Sequence, residues 1–152
     1  MFDFTRIECY REGNRLEAKL ATGGLPESIW ETYSAFANSY GGVILLGVEE
    51  LPDRRLRIQG LLDPQEMLEE FLAKVSDPKY ASTNLLREDQ TQILELEQGR
   101  VIAIEVPRAA RGQRPVYVGG DPYSGTYRRI GDGDYHCTRA EVDAMLAGRR
   151  TP

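Results

Sequence analysis

Hydrophobic and polar positions along the chain predict strands in several segments. Between residues 15 and 20, apolar and charged positions alternate, which is typical of a short strand with Glu17 and Lys19 on one face. Residues 43–48 are apolar apart from one glycine and follow a glycine pair, which predicts a central strand buried on both faces. Two glutamates end this strand, and the second, Glu50, is therefore expected to be held in place.

Helical spacing of apolar residues occurs in three other segments. The first begins near Pro26 and stops at Gly41, the second begins with an Asp-Pro pair at Asp63, and the third opens with a capping box at Thr138. Further strands are predicted at residues 56–61, 93–96, 101–106 and 125–130, and a mobile loop at residues 119–125. These elements predict an α+β fold, a mixed β-sheet flanked by about three helices.

The chain has the size of one domain. Its 152 residues, 41% hydrophobic and 28% charged, are typical of a globular domain, which we expect to span residues 1–150. That domain is either free-standing or the N-terminal part of a longer protein. No apolar run approaches the roughly 20 residues that cross a bilayer, and the first residues lack the features of a signal peptide. Two cysteines and one histidine cannot form a Cys/His zinc site. We therefore expect a cytoplasmic protein without membrane association.

Charge is unevenly distributed along the chain. The net charge of −5 argues against indiscriminate binding to phosphate backbones. Residues 1–97 carry 10 basic and 18 acidic groups, whereas residues 98–152 carry 9 basic and 6 acidic groups, and all nine basic ones are arginine. Arginine binds phosphate with paired hydrogen bonds and stacks on bases. The distribution fits an acidic metal site beside a nucleic-acid groove, and it equally fits charges scattered over a solvated surface.

Several motifs occur in an order that resembles one known family. They are the run from Ser34 to Glu50, Glu12, the stretch at residues 16–19, Pro115-Val116-Tyr117, residues 127–131, Thr138 and Ala140. Together they resemble the Schlafen AlbA-like domain, also described as a divergent AAA or DNA-binding domain of bacterial regulators. The resemblance covers nearly the whole chain and implies that family's α+β fold. It further implies a nucleic-acid (DNA) binding domain of a transcriptional-regulator-like protein.

Acidic residues form the first candidate site. Glu12 lies just before the first strand, Glu17 lies within it, and Glu50 ends the central strand, so neighbouring strands would bring the three carboxylates together. Three oxygen donors suit Mg²⁺ or Mn²⁺, which would polarise a phosphodiester and activate water. The resemblance implies the same three acids as a ribonuclease site, and Lys19 is available to stabilise charge. Two departures weaken the case for catalysis: the family usually has aspartate at Glu50 and an aromatic residue at Ala18. The alternative is that these acids are solvated or paired with nearby basic residues.

Arginines interleaved with tyrosines form the second candidate site. Aromatic rings beside guanidinium groups are the usual platform for single-stranded nucleic acid. Side chains alternate along a strand, so Arg128 and Arg129 are expected on opposite faces, and only one of them need face a ligand. The alternative is that one of these arginines pairs with a carboxylate. The predicted nucleic-acid-binding residues are Arg108, Arg111, Arg114, Tyr127, Arg128 and Arg129.

The sequence leaves three hypotheses about function. The favoured one is a nucleic-acid-binding module without catalysis, with DNA as the expected partner. The second is a Mg²⁺- or Mn²⁺-dependent endoribonuclease, in which the three acids hold the metal and act in catalysis with Lys19. The third is a protein-interaction domain that forms a homo-oligomer through a free sheet edge. No other cofactor is expected, and the lack of a GxxxxGK[ST] motif excludes a P-loop for ATP.

Overall fold

The computed structural model describes residues 2–150, which form eight β-strands and four α-helices. The strands are Leu16–Lys19 (β1), Gly42–Leu46 (β2), Val48–Glu50 (β3), Leu56–Ile58 (β4), Thr91–Leu96 (β5), Gly99–Val106 (β6), Tyr127–Ile130 (β7) and Gly133–His136 (β8). The helices are Ile29–Asn38 (α1), Pro64–Val75 (α2), Pro122–Gly125 (α3) and Arg139–Arg149 (α4). Short 3₁₀ segments lie at Phe4–Cys9, Glu88–Gln90 and Arg111–Gln113. None of the helices in this part of the chain has the length and apolar character needed to cross a membrane.

Four strands form the main sheet, in the spatial order β1-β2-β6-β5. β1 runs parallel to β2, and β6 is antiparallel to both of its neighbours. The other strands form two antiparallel hairpins, β3 with β4 and β7 with β8, and the second of these packs against α1. A mixed sheet with three helices of ten residues or more confirms the predicted α+β fold.

The main sheet has an apolar core on each face. In β2, Ile44 and Leu46 point to the face covered by α1 and α2. Val43 and Leu45 point to the opposite face, which is covered by the N-terminal 3₁₀ segment and the β3–β4 hairpin. All four side chains are at most 4% exposed. This two-sided burial explains why the strand is apolar at every position.

A glycine separates the central strand from the carboxylate that follows it. The sequence predicts one strand over residues 43–48, but at Gly47 the pairing changes from the main sheet to the β3–β4 hairpin. Gly47 has a φ of 93°, and a Cβ at this position would lie 2.9 Å from Cγ of Leu61. Its carbonyl accepts two backbone hydrogen bonds from the segment after β4, both 2.9 Å long. Glu50 therefore lies in the hairpin rather than at the end of the central strand.

The remaining elements differ from the predictions only locally. α2 and α4 begin directly after the predicted caps, and the side chains of Asp63 and Thr138 accept hydrogen bonds from backbone N–H groups in the first turn. α1 begins at Ile29, three residues after the predicted proline start. The loop predicted at residues 119–125 contains the single turn of α3. The sequence pattern does not predict β8, because the Asp-Gly-Asp run at its start is typical of a turn.

Candidate functional site

Three carboxylates from separate parts of the chain meet at one place. Glu12 precedes β1, Glu50 ends β3, and Asp132 lies in the turn between β7 and β8. One carboxylate oxygen from each lies within 4.8 Å of the others, and we call these three residues the acidic cluster. The structure thus brings together two of the acids that the sequence singles out. Sequence reasoning missed Asp132, because a carboxylate in a turn gives no local signal of the distant acids it meets.

Glu12 keeps its proton to near-neutral pH. Its carboxyl group is partly buried, and this burial raises the pKa to about 7, with the charges of Glu17 and Glu50 acting in the same direction. A 2.9 Å hydrogen bond from the backbone N–H of Ala18 opposes the shift and fixes the carboxyl group beside β1. A group with this pKa exchanges its proton near physiological pH, and a bound cation would favour its charged form.

The other two acids of the cluster lie nearer to solvent and share a counter-charge. Arg54 donates to the Asp132 carboxylate at 2.6 Å, and this contact lowers the pKa of Asp132. The hydrogen bond to Asp132 raises the pKa of Arg54, and the charges of Asp132, Glu50 and Glu12 add to the shift. The side chains of this ion pair are 59% and 44% exposed, so the pair can open at small cost.

Glu17 belongs to a separate set of contacts and is not part of the acidic cluster. Side chains alternate along β1, so Glu17 and Lys19 point toward α1, away from the apolar residues of the strand. Lys19 donates from Nζ to the hydroxyl of Ser28 at 3.0 Å and lies 3.8 Å from the Glu17 carboxylate. Burial raises the pKa of Glu17, and the positive charges of Lys19 and Arg129 oppose that shift. The third carboxylate beside Glu12 and Glu50 is therefore Asp132, and not Glu17 as the sequence predicts.

Arg129 is buried where β7 meets β1. Its side chain is 0% exposed, and each guanidinium nitrogen donates a hydrogen bond. Nη1 contacts Asp134 at 2.7 Å, Nη2 contacts Glu17 at 2.9 Å, and Nε and Nη2 also donate to backbone carbonyls next to and within β1. The guanidinium carbon lies 4.9 Å from the centre of the Phe36 ring. The sequence predicts a nucleic-acid contact for Arg129, but in the structure its guanidinium joins the β7–β8 hairpin to the sheet and does not face solvent.

The other two predicted residues of β7 also contact protein groups. Arg128 donates to Glu141 at 2.7 Å, and its Nε is buried without a hydrogen-bond partner. The Tyr127 hydroxyl donates to Glu31 at 3.3 Å, and burial together with that carboxylate raises the pKa of Tyr127. Its ring centre lies 4.3 Å from that of His136. Of the two predicted arginines in β7, Arg128 is the one whose guanidinium a ligand could reach, because its side chain is 40% exposed.

Three arginines in the loop after β6 have a different environment. Arg108 and Arg111 are exposed and Arg114 is partly buried, and within residues 2–150 none of them forms an ion pair. Burial lowers the pKa of Arg114, and the charges of Arg108 and Arg111 add to the shift, so the positive charges of this seven-residue segment act on one another. We call residues 108–114 the arginine loop. It is the local concentration of positive charge that the sequence predicts.

A further arginine, which sequence reasoning missed, holds the arginine loop in place. Arg149, in the last turn of α4, donates to the backbone carbonyls of Gln113, Arg114 and Pro115 at 2.9, 2.6 and 2.8 Å. These bonds fix the backbone of the loop and occupy none of its own guanidinium groups, although the Arg111 side chain lies beside Gly148 of α4. In the sequence, Arg149 is indistinguishable from a helix-terminal surface charge, which is why its role becomes visible only in the structure.

The comparison with known families decides what kind of domain this is. Residues 12–138 match the family described as Schlafen, AlbA_2. The chain belongs to this family. The Schlafen AlbA_2 match begins at Glu12 and ends at Thr138, so it contains both the acidic cluster and the arginine loop. The resemblance seen in the sequence motifs is confirmed.

Solved structures show the same fold. The N-terminal domain of a protein from Nitrosomonas europaea, described as an ATP-dependent DNA helicase RecG-related protein, is 29% identical to this Schlafen AlbA_2 chain and has a TM-score of 0.64. The comparison covers 91% of this chain and 95% of that domain. A protein from Corynebacterium diphtheriae is 20% identical with a TM-score of 0.58, covers 91% of this chain and 24% of its own, and shows the fold alone. No curated protein matches the chain.

Proposed function

We propose that this Schlafen AlbA_2 domain binds nucleic acid through its arginine loop. The observation that carries the proposal is the group of three neighbouring arginines, none of which has a carboxylate partner among the described residues. Like charges held together repel one another, and a polyanion relieves that repulsion. Guanidinium groups bind phosphate with paired hydrogen bonds, and Arg149 holds the loop backbone that presents them.

The description of one relative supports DNA as the partner. The Nitrosomonas europaea domain comes from a protein described as related to an ATP-dependent DNA helicase. We extend the proposal to DNA on this basis. We further propose a cytoplasmic protein that acts in the manner of a transcriptional regulator. The arginine loop contacts the sugar-phosphate backbone in this proposal, so it accounts for affinity and not for base sequence.

Charge reversal in the arginine loop tests the proposal. Fluorescence anisotropy with labelled duplex DNA should show binding that weakens about tenfold or more in the double variant R108E/R111E, because two phosphate contacts become repulsive. The double variant R55E/R87E is the matched control, since it changes the net charge by the same amount at two arginines that are more than 60% exposed and lie outside the loop. It should bind DNA almost as wild type does. An equal loss of affinity in both variants would overturn the proposal, because only the net charge would then matter.

A second candidate function is metal-dependent cleavage of the bound strand at the acidic cluster. The observation that favours it is the approach of three carboxylate oxygens to within 4.8 Å, where burial and, to a smaller extent, like charge raise the pKa of Glu12 to about 7. Such a group is stabilised by protons or by a cation. Glu12, Glu50 and Asp132 would hold Mg²⁺ or Mn²⁺, which when bound would polarise a phosphodiester and lower the pKa of a water. Lys19 and Glu17 lie on the face of β1 that points toward α1. The negative charge of Glu17 favours the protonated form of Glu12.

Cleavage assays with separate binding measurements test this candidate. Labelled RNA and DNA should be cut with Mn²⁺ and remain intact with EDTA, and Glu50→Gln and Asp132→Asn should abolish cutting without changing affinity for the strand. Asp53→Asn is the matched control, because Asp53 is an exposed acid of the β3–β4 loop paired with Arg55. Cutting that persists in both cluster variants would exclude the acidic cluster as the site, and the binding proposal would stand unaffected.

A further inference from the structure

A cavity adjoins the arginine loop. It has a volume of about 490 Å³ and opens where β2 begins and β6 ends. Three aromatic residues and two arginines line it, and we call it the aromatic pocket: Phe2, Tyr10, Tyr40, Arg15 and Arg108. Arg108 also belongs to the arginine loop, so the pocket and the loop form one continuous surface.

The aromatic pocket contains two rings that pack together and one exposed ring. Tyr10 is fixed, because its hydroxyl accepts a 2.7 Å hydrogen bond from the backbone N–H of Asp3 and its ring meets Phe2 edge to face at 5.2 Å. Tyr40, in the turn between α1 and β2, is 58% exposed. Within residues 2–150, its ring and hydroxyl have no aromatic or hydrogen-bonding partner. An exposed aromatic side chain beside a cavity is a surface on which a flat apolar group can stack.

The charges around the pocket select the kind of flat group it can hold. Neither Arg15 nor Arg108 forms an ion pair among the described residues, and the positive surface continues from Arg108 to Arg111 and Arg114. Phosphate groups fit this surface. Among the described residues that line the pocket, Glu105 contributes a carboxylate. A carboxylate accepts hydrogen bonds from the exocyclic amino groups of bases.

We infer that the aromatic pocket holds an unpaired nucleobase of a single-stranded nucleic acid whose phosphates lie on the arginine loop. This inference rests on the proposed nucleic-acid binding and names the class of strand. Bases of a duplex are stacked on one another and cannot offer a free face to Tyr40, whereas an unpaired base can. Stacking on an aromatic ring tolerates any base, and Glu105 adds a preference for bases that carry an amino group over thymine or uracil.

Tyrosine variants and two forms of the same strand test the inference. Fluorescence anisotropy is measured with labelled single strands of about 12 nucleotides, as oligo(dC), oligo(dT) and an RNA of mixed sequence, and with the duplex form of a mixed DNA. Tyr40→Ala and Tyr40→Leu should weaken single-strand binding about 5- to 100-fold, and Tyr40→Phe should retain it. Duplex binding should stay within about twofold of wild type, and Tyr135→Ala, an exposed tyrosine on β8, is the matched control.

The outcomes separate this inference from the proposal on which it rests. If R108E/R111E loses duplex binding while Tyr40→Ala leaves single-strand binding unchanged, the arginine loop binds nucleic acid and the aromatic pocket holds no base. If Tyr40→Ala and Tyr40→Leu weaken single strands and duplex equally, the tyrosine acts without recognising unpaired bases, and the inference is overturned. Oligo(dC) bound more tightly than oligo(dT), with the preference lost in Glu105→Ala, supports the role of Glu105. Melting temperatures near that of wild type show that each variant is folded.

Discussion

At the scale of single residues, Glu12 makes the stability of the domain depend on pH. Its pKa in the folded protein is about 7, against an ordinary value of 4.5. The folded protein therefore binds this proton more tightly than the unfolded chain does, and stability falls as pH rises from about 4.5 to about 7. Burial shifts the pKa of Glu17 in the same direction and adds to the decline.

We expect Glu12→Gln to reduce this pH dependence, because the amide keeps the shape of the side chain and carries no proton to lose. The measurement is the melting temperature at several values between about pH 5 and about pH 8. Wild type should lose stability across this range, and the variant should lose less, with Glu17 accounting for the remainder. Glu95→Gln, an exposed acid on β5, serves as the control and should follow wild type. A variant as pH-dependent as wild type would contradict the expectation.

Arg129 shows how much a single buried charge contributes to the fold. Replacing it by Met leaves the mostly buried Asp134 without a counter-charge and leaves Glu17 with Lys19 alone, which should cost about 3–5 kcal/mol in the free energy of unfolding. Arg128→Met should cost less than about 1 kcal/mol, because its ion pair with Glu141 is partly exposed. Urea denaturation of both variants gives the comparison.

A second set of variants identifies the source of the cost at Arg129. Combining Arg129→Met with Glu17→Gln and Asp134→Asn removes the unpaired charges and should recover part of the lost stability. If the single variants Arg129→Met and Arg128→Met prove equally stable, Arg129 does not have the structural role assigned to it, and its assignment to a ligand contact would need to be reopened.

At the scale of elements, Gly47 sets the geometry of the junction between β2 and the hairpin that carries Glu50. We expect Gly47→Ala to destabilise the domain by about 1–3 kcal/mol, because the φ of 93° is strained for alanine and its Cβ would contact Leu61. Gly23→Ala is the matched control, since a Cβ there meets no atom within 4 Å. Thermal unfolding compares the two, and an equal effect would show that the junction tolerates a side chain.

Elements with local signals are those that the sequence predicts well. The central strand follows from its unbroken apolar run, and α2 and α4 follow from capping residues that bond to the next turn. The split at Gly47 has no local signal, because it depends on the packing of Leu61 against the junction. The same limit applies to the site. Glu12 and Glu50 can be predicted from their positions beside strands. Asp132 cannot, because it lies near them only through the packing of the β7–β8 hairpin, which is distant in sequence.

At the scale of the whole molecule, the main sheet has two edge strands, β1 and β5, and the side chains of Glu12 and Arg129 hydrogen-bond to the backbone of β1. Within residues 2–150, β5 pairs with β6 on one side only. An edge strand of six residues can pair with the same strand of a second copy, so homo-oligomerisation remains a prediction. Sedimentation velocity at increasing protein concentration, without nucleic acid, checks it. A monomer at the highest concentration would remove the assembly hypothesis, and a stable dimer would support it.

Because the net charge is −5, the molecule as a whole repels a nucleic acid while the arginine loop attracts it. The salt dependence of binding should show both effects. Three phosphate contacts predict a slope of about −2.7 when the logarithm of the duplex-binding constant is plotted against the logarithm of salt concentration. Arg111→Ala should make the slope shallower by about 0.9, whereas Arg87→Ala, the control outside the loop, should leave it unchanged.

Below about 0.01 M salt the screening length reaches about 30 Å, so the acidic half of the chain also repels the strand. The plot should therefore flatten at the lowest salt concentrations, which a purely basic binding protein would not show. Anisotropy titrations over a series of KCl concentrations measure both features. A slope near zero throughout would mean that the three arginines do not contact phosphate, because affinity that is insensitive to salt cannot come from displaced counterions.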